Sequence, residues 1–139
     1  MSILSKEIDL VDSLSLFPSW EERYQYIIEL GESLKIMEEE EKSESNLIKG
    51  CQSKLWLSHI YENNKIYFFA DSESPFPKGL AALFLLILNG YSPKEILSSK
   101  LTFLETTGLR FNLSPIRFMG ITNFYKSILN DCRKYENVD

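Results

Sequence analysis

The chain has 139 residues, 44% hydrophobic and 13% aromatic, enough for one filled core and too few for two ordinary domains. A formal charge of -5 and a pI near 5.0 argue against a nucleic-acid binder, which needs a clustered cationic face. Two cysteines and one histidine supply neither a secreted disulfide framework nor a four-ligand zinc site without carboxylates.

The first nine residues, Met1 to Asp9, carry acids early and lack the basic-then-apolar order of an export or transit signal, so a cytoplasmic protein is expected. Leu4, Ile8, Val11 and Leu14 recur at helical spacing and predict a short first helix that stops before Phe17-Pro18. Ser19-Trp20-Glu21-Glu22 reads as a capping box: the Ser19 hydroxyl accepts from the Glu22 amide while the Glu22 carboxylate reaches back to Ser19. The helix it opens has Trp20, Tyr24, Ile27, Gly31 and Leu34 as its apolar stripe, and Gly31 would let another backbone approach closely. The run Glu38 to Ser45 ends that helix in an acidic, solvated loop whose spacing fixes no metal geometry.

Two β-rich runs follow, Lys54 to Tyr61 and Lys65 to Asp71, divided by Glu62-Asn63-Asn64. With Asn63 and Asn64 as a two-residue turn at positive φ, Tyr61 opposes Ile66, His59 opposes Phe68, Leu57 opposes Ala70 and Trp56 opposes Asp71. One face of this hairpin should lie against helices. Trp56, Ile60, Tyr67 and Phe69 would then lie under other segments or form a contact surface, and the sequence does not choose between these. After a proline- and serine-rich turn from Asp71 to Pro77, Lys78 to Asn89 is apolar on all sides, predicting a central helix closed by Gly90. Its longest apolar run, Leu80 to Leu88, is less than half of the roughly 20 residues a membrane-spanning helix needs. Ser92-Pro93-Lys94-Glu95 opens a short helix, a loop ending in Thr107-Gly108 follows, and Ser114-Pro115 opens the last helix. Its buried stripe is expected at Ile116, Gly120 or Ile121, Phe124 or Tyr125, Ile128 and Cys132. Helices around one hairpin give an α+β class, a small antiparallel sheet packed against several helices in a single domain, 1–139.

The chemistry concentrates on Cys51. In Ile48-Lys49-Gly50-Cys51-Gln52-Ser53-Lys54-Leu55-Trp56 the thiol follows an unshielding glycine in a polar, loop-like setting, whereas Cys132 falls on an apolar helical period. His59 alternates with Leu57 and Tyr61 and reads as a packing residue, with a Cys-His pair left open. A thiol with a free pKa of about 8.5 needs cations, amides or a helix amino terminus to favour the thiolate. Lys49 and Lys54 are near in sequence, and Arg117 lies in the first turn of the last helix, where a cation is locally unfavourable. Its partner is either an anion at the Cys51 site or one of the many glutamates.

Ser19 to Gly31 and Ile48 to Trp56 together resemble the SufE/CsdE family of sulfur acceptors. The resemblance continues through Asp71-Ser72, Lys78-Gly79-Leu80 and Leu113-Ser114-Pro115-Ile116-Arg117, covering almost the whole chain. One departure is Met119, where the family usually carries an amide side chain before the glycine matched by Gly120. The resemblance implies an α+β fold like that of the iron-sulfur scaffold IscU, although this chain lacks that family's three cysteine ligands. It implies a sulfur-transfer accessory protein, not an enzyme in its own right. Cys51 would accept persulfide sulfur from a pyridoxal-phosphate cysteine desulfurase, stimulate it, and deliver the sulfur to an iron-sulfur assembly scaffold complex. Gly50, Gln52, Ser53, Trp56, Asp71 and Arg117 would form the pocket or partner surface. No metal or resident cofactor is expected beyond the covalent persulfide, and whether the chain forms a homodimer is left open. The rival readings are a noncatalytic interaction module, or a cysteine hydrolase or peroxidase using His59 or Cys132.

Overall fold

The computed structural model describes residues 1–136. Its organising element is the apolar run of the sequence's second half, helix α3 (Pro75–Leu88), ten of whose residues are buried. Around it pack α1 (Ile3–Ser15), α2 (Trp20–Glu32), α6 (Pro115–Arg133) and one face of a hairpin, β1 (Leu55–Glu62) with β2 (Lys65–Ser72). The short helices α4 (Pro93–Ser98) and α5 (Phe103–Thr106) connect α3 to α6. This is the expected α+β arrangement, and no described helix is long and apolar enough to cross a membrane.

The hairpin has the register the turn dictates. Asn63 and Asn64 take φ of 53° and 61°, and Tyr61↔Ile66, His59↔Phe68, Leu57↔Ala70 and Trp56↔Asp71 face one another. Leu55, Leu57, Ile66, Phe68 and Ala70 are buried in the core on the helix side. On the other side the chain between α2 and β1 crosses the sheet: Met37 is buried there, close to Ser58, Ile60 and Phe69. Trp56, Tyr67 and Phe69 are half-buried and Ile60 is 47% exposed, so that second face is only partly covered by the same chain. Single bridges extend both sheet edges, Leu47 beside β1 and Tyr91 beside β2. Asn89, the residue capping α3, pairs with Phe68 like a strand residue, accepting from its amide at 2.7 Å and donating to its carbonyl at 3.1 Å.

Several elements differ from the sequence reading. The buried face of α1 is Ile3, Glu7, Leu10 and Leu14, while Leu4 and Ile8 are 64% and 50% exposed. The apolar periodicity misleads because the inward face contains a carboxylate, and Glu7 Oε2 accepts from the amides of Thr102 and Phe103 at 2.7 and 2.9 Å. That contact caps α5, a single turn where the sequence suggests only loop; its N-cap, Thr102, makes no side-chain capping bond of its own. Helix α2 ends at Glu32, well before the acidic run, as the Ser33 hydroxyl bonds back to the Leu30 carbonyl at 2.6 Å. Only half of its expected capping box forms, Ser19 Oγ accepting from the Glu22 amide at 3.2 Å, whereas Ser92 and Glu95 make the full reciprocal pair at α4. Helix α3 starts at Pro75, inside the predicted turn, since proline needs no partner for an amide in a first turn. Ile116 is 44% exposed and not part of the buried stripe of α6, which runs Gly120, Ile121, Phe124, Ile128, Cys132.

The axis between α2 and α3 is set by two glycines. A Cβ on Gly79 would stand 2.3 Å from the Ile27 carbonyl oxygen, and one on Gly31 would stand 2.7 Å from the Gly79 amide nitrogen. The close approach anticipated at Gly31 is met by a second glycine on the partner helix.

Candidate functional site

Cys51 sits near the tip of a loop that leaves the sheet at Ile48 and returns at Leu55, closed at its base by the Ile48 amide donating to the Leu55 carbonyl at 2.8 Å. Gly50 turns the chain at φ +81°, a conformation that favours glycine, and directs the half-buried thiol inward. There it meets the first turns of α6. Ser114 caps that helix by accepting from the Arg117 amide at 3.3 Å, with Pro115 at the first position. Two turns carry Arg117 and Gly120 round to the loop, and a Cβ on Gly120 would lie 3.0 Å from Cys51 Sγ. Only a residue without a side chain leaves the sulfur its present space.

Cys51 faces a cavity of about 40 Å³ lined by Gln52, Ser53, Leu55, Leu80, Arg117, Gly120 and their neighbours. Ordinary small-molecule pockets run to roughly 300–1,000 Å³, so this one takes no organic substrate of usual size. It has room for an added atom or two on the thiol. The Arg117 guanidinium lies over the Phe76 ring at 4.9 Å, and no carboxylate pairs with it among the described residues. Of the two partners the sequence left open for Arg117, the glutamate pair is absent there.

Burial pushes the Cys51 thiol above its ordinary value. This reverses the expectation that flanking cations favour the thiolate: Lys49 and Lys54 both point to solvent, so desolvation dominates while the loop is closed. Cys132 is fully buried and pushed up to about 12, first by burial and then by the Asp131 charge. It behaves as the small core hydrophobe its position suggested. His59 is likewise structural. Its Nε2 is 2.7 Å from the Tyr135 hydroxyl and its Nδ1 3.3 Å from Asp131, so both ring nitrogens are engaged and the residue does not line the Cys51 cavity. No Cys-His pair forms.

The remaining expected site residues divide. Gln52 and Ser53 line the cavity, and Ser53 Oγ lies 2.7 Å from Ser74 Oγ. Trp56 and Asp71 do not line it. Asp71 pairs with Lys42 at 2.9 Å and Lys78 at 3.3 Å. Burial opposes its ionisation, but Lys42, the Ser72 amide and Lys78 outweigh this and hold the carboxyl below its usual range. Its link to the Cys51 loop runs through the next residue, whose hydroxyl donates to the Lys54 carbonyl at 2.6 Å. Sequence reasoning missed Leu80, Ile116 and Ile121 as lining residues. It also missed Asn123, whose amide donates to the Lys49 carbonyl at 2.8 Å. The signal for Asn123 was its helical spacing of three from Gly120.

Residues 8–132 match the family model described as the SufE Fe-S metabolism associated domain. The chain belongs to the SufE family. It is 36% identical over 135 residues to the cysteine desulfuration protein SufE of Wigglesworthia glossinidia brevipalpis, covering 96% of this chain and 94% of that one. It is 34% identical over 112 residues to the sulfur acceptor protein CsdE of Escherichia coli, covering 79% and 76%. A solution structure of a hypothetical protein from Thermus thermophilus superposes with a TM-score of 0.77 at 21% identity, over 93% of this chain and 94% of that one, a likeness of fold alone. Cys51, Arg117 and Gly120 line one cavity. Met119 is 54% exposed, and the amide resting on the loop comes from Asn123 one turn on.

Proposed function

We propose that this protein accepts a sulfur atom onto Cys51 from the persulfide of a pyridoxal-phosphate cysteine desulfurase, stimulating that enzyme, and passes the sulfur to an iron-sulfur assembly scaffold complex. The observation that carries the reading is the cavity itself: it receives Cys51 Sγ beside Gly120, has Arg117 in its lining, and its volume of about 40 Å³ suits one added sulfur. Membership of the SufE family, with relatives named for cysteine desulfuration and sulfur acceptance, supports the same assignment.

The transfer needs no general base in the chain and no resident cofactor. With the loop swung outward, the Cys51 thiolate attacks the outer sulfur of the donor persulfide. The donor S–S bond breaks, its electron pair leaves with the donor cysteine as thiolate, and the new bond makes Cys51 a persulfide. Electrons balance without an external oxidant or reductant, and the proton given up by Cys51 is matched by the one the departing thiolate takes. On closing, the cavity shields the added sulfur from stray thiols, and the Arg117 guanidinium is the cation positioned to hold an anionic persulfide. The thiol's elevated pKa in the closed loop fits a guarded carrier, reactive only when exposed.

The test is the rate at which a purified pyridoxal-phosphate cysteine desulfurase turns over cysteine, with this chain present or absent. Stimulation by the parent and its loss with Cys51→Ser is the expected pattern. Equal stimulation by both would leave a noncatalytic docking module as the better account.

A further inference from the structure

We propose that Asn123 is a positioning residue for Cys51: its side-chain amide latches the loop shut, and release of that one hydrogen bond lets the thiol leave its cavity. The returning limb of the loop is held several times over. The Lys54 carbonyl accepts from the Glu73 amide at 3.1 Å and the Ser72 hydroxyl at 2.6 Å, and Ser53 bonds Ser74 at 2.7 Å. The outgoing limb is different. Among the described residues, the only side-chain hydrogen bond to the stretch 49–52 is the one from Asn123 Nδ2 to the Lys49 carbonyl at 2.8 Å.

The contact is a fitted one. A Cβ on Gly50 would stand 2.6 Å from Asn123 Nδ2, so the amide rests directly on the glycine that reverses the chain before the thiol. Gly120 and Asn123 are three residues apart on α6 and share a face: one makes room beneath the sulfur, the other holds the strand of chain leading to it. The pattern makes the Lys49 end the one that opens and the Lys54 end the hinge. A single bond at a site open to water is replaced by water at small cost, so a docking partner that competes for the amide or lifts Lys49 can release the loop.

This inference takes its purpose from the sulfur-acceptor reading, but its test does not need a desulfurase. Asn123→Leu and Asn123→Asp both lose the donor, the second with almost unchanged shape. In each, alkylation of Cys51 by iodoacetamide should quicken about fivefold, the factor an ordinary net hydrogen bond provides. The midpoint of the alkylation pH profile should fall towards that of a free thiol, amide exchange at Gly50 to Gln52 should quicken, and the alkylation rate should keep the shallow urea dependence of a local opening. If the leucine variant fails to fold, the aspartate variant decides. Unchanged alkylation and exchange in a folded variant would overturn the latch, as would acceleration whose urea dependence matches that of global unfolding. Sulfur uptake measured on the same proteins separates the two ideas. Normal uptake with an unaltered loop sinks the latch alone, and a loosened loop with no uptake by the parent sinks the carrier reading alone.

Discussion

Cys51 is a thiol whose reactivity is governed by position more than by neighbours. Because burial raises its pKa, less thiolate is present at a given pH while the loop is closed, and iodoacetamide labelling of the parent should rise with pH along a curve displaced above that of a free cysteine. Unfolding in urea should bring the curve back down. Gly120→Ala adds a methyl group 3.0 Å from Cys51 Sγ, so it should leave α6 intact yet shorten the lifetime of a Cys51 persulfide several-fold, read by mass spectrometry after removal of the sulfur donor. The thiol itself was legible in the sequence because a glycine and polar neighbours set it off from the apolar period that contains Cys132. The direction of its pKa was not, since the lysines' distance from it in space is not encoded in their nearness along the chain. Arg117 was half legible: a cation in a first turn signals a partner elsewhere, but stacking on Phe76 leaves no trace in local sequence.

Helices and strands here divide by whether their geometry is settled locally. The hairpin was readable to the residue because two asparagines at positive φ fix a two-residue turn, and the turn fixes every pair in the ladder. Helix α1 was not, because its inward face includes Glu7 and that carboxylate's partners lie about ninety residues away on α5. Two predictions follow from these contacts. Glu7→Ala removes the side chain that caps α5 and should cost about 1–2 kcal/mol in urea unfolding, with local exchange at Thr102 and Phe103 rising first. Gly79→Ala would improve helix propensity by up to about 1 kcal/mol in isolation, yet its Cβ would collide with the Ile27 backbone, so the net effect should be a loss of roughly 1–3 kcal/mol.

The molecule as a whole joins its hairpin to its last helix through His59, Asp131 and Tyr135. Burial opposes ionisation of Asp131, but the bond from His59 and the charge of Lys134 outweigh it and lower the pKa. A depressed carboxylate contributes stability that is present above its unfolded value, about 3.9, and lost as pH falls through the folded one. Thermal melts should therefore decline below about pH 4, and Asp131→Asn should flatten that limb while lowering stability near neutrality. Cys132 works at the other end: its raised pKa contributes stability below the unfolded thiol value of about 8.5 that is lost as pH climbs towards about 12. The fold class and the family were legible because motifs of the SufE pattern span nearly the whole chain. What the sequence did not carry is the joint between loop and helix, where Gly50, Gly120 and Asn123 meet.

The central claim, that this joint stores one sulfur on Cys51, is tested most directly by intact-protein mass spectrometry. The purified chain, Cys51→Ser and Cys132→Ser are each incubated with cysteine and a pyridoxal-phosphate cysteine desulfurase. The parent and the Cys132 variant should gain the mass of one sulfur atom, reversible by a thiol reductant, while Cys51→Ser gains none. Sulfur appearing on Cys51→Ser, or absent from all three with an active desulfurase, would contradict the account.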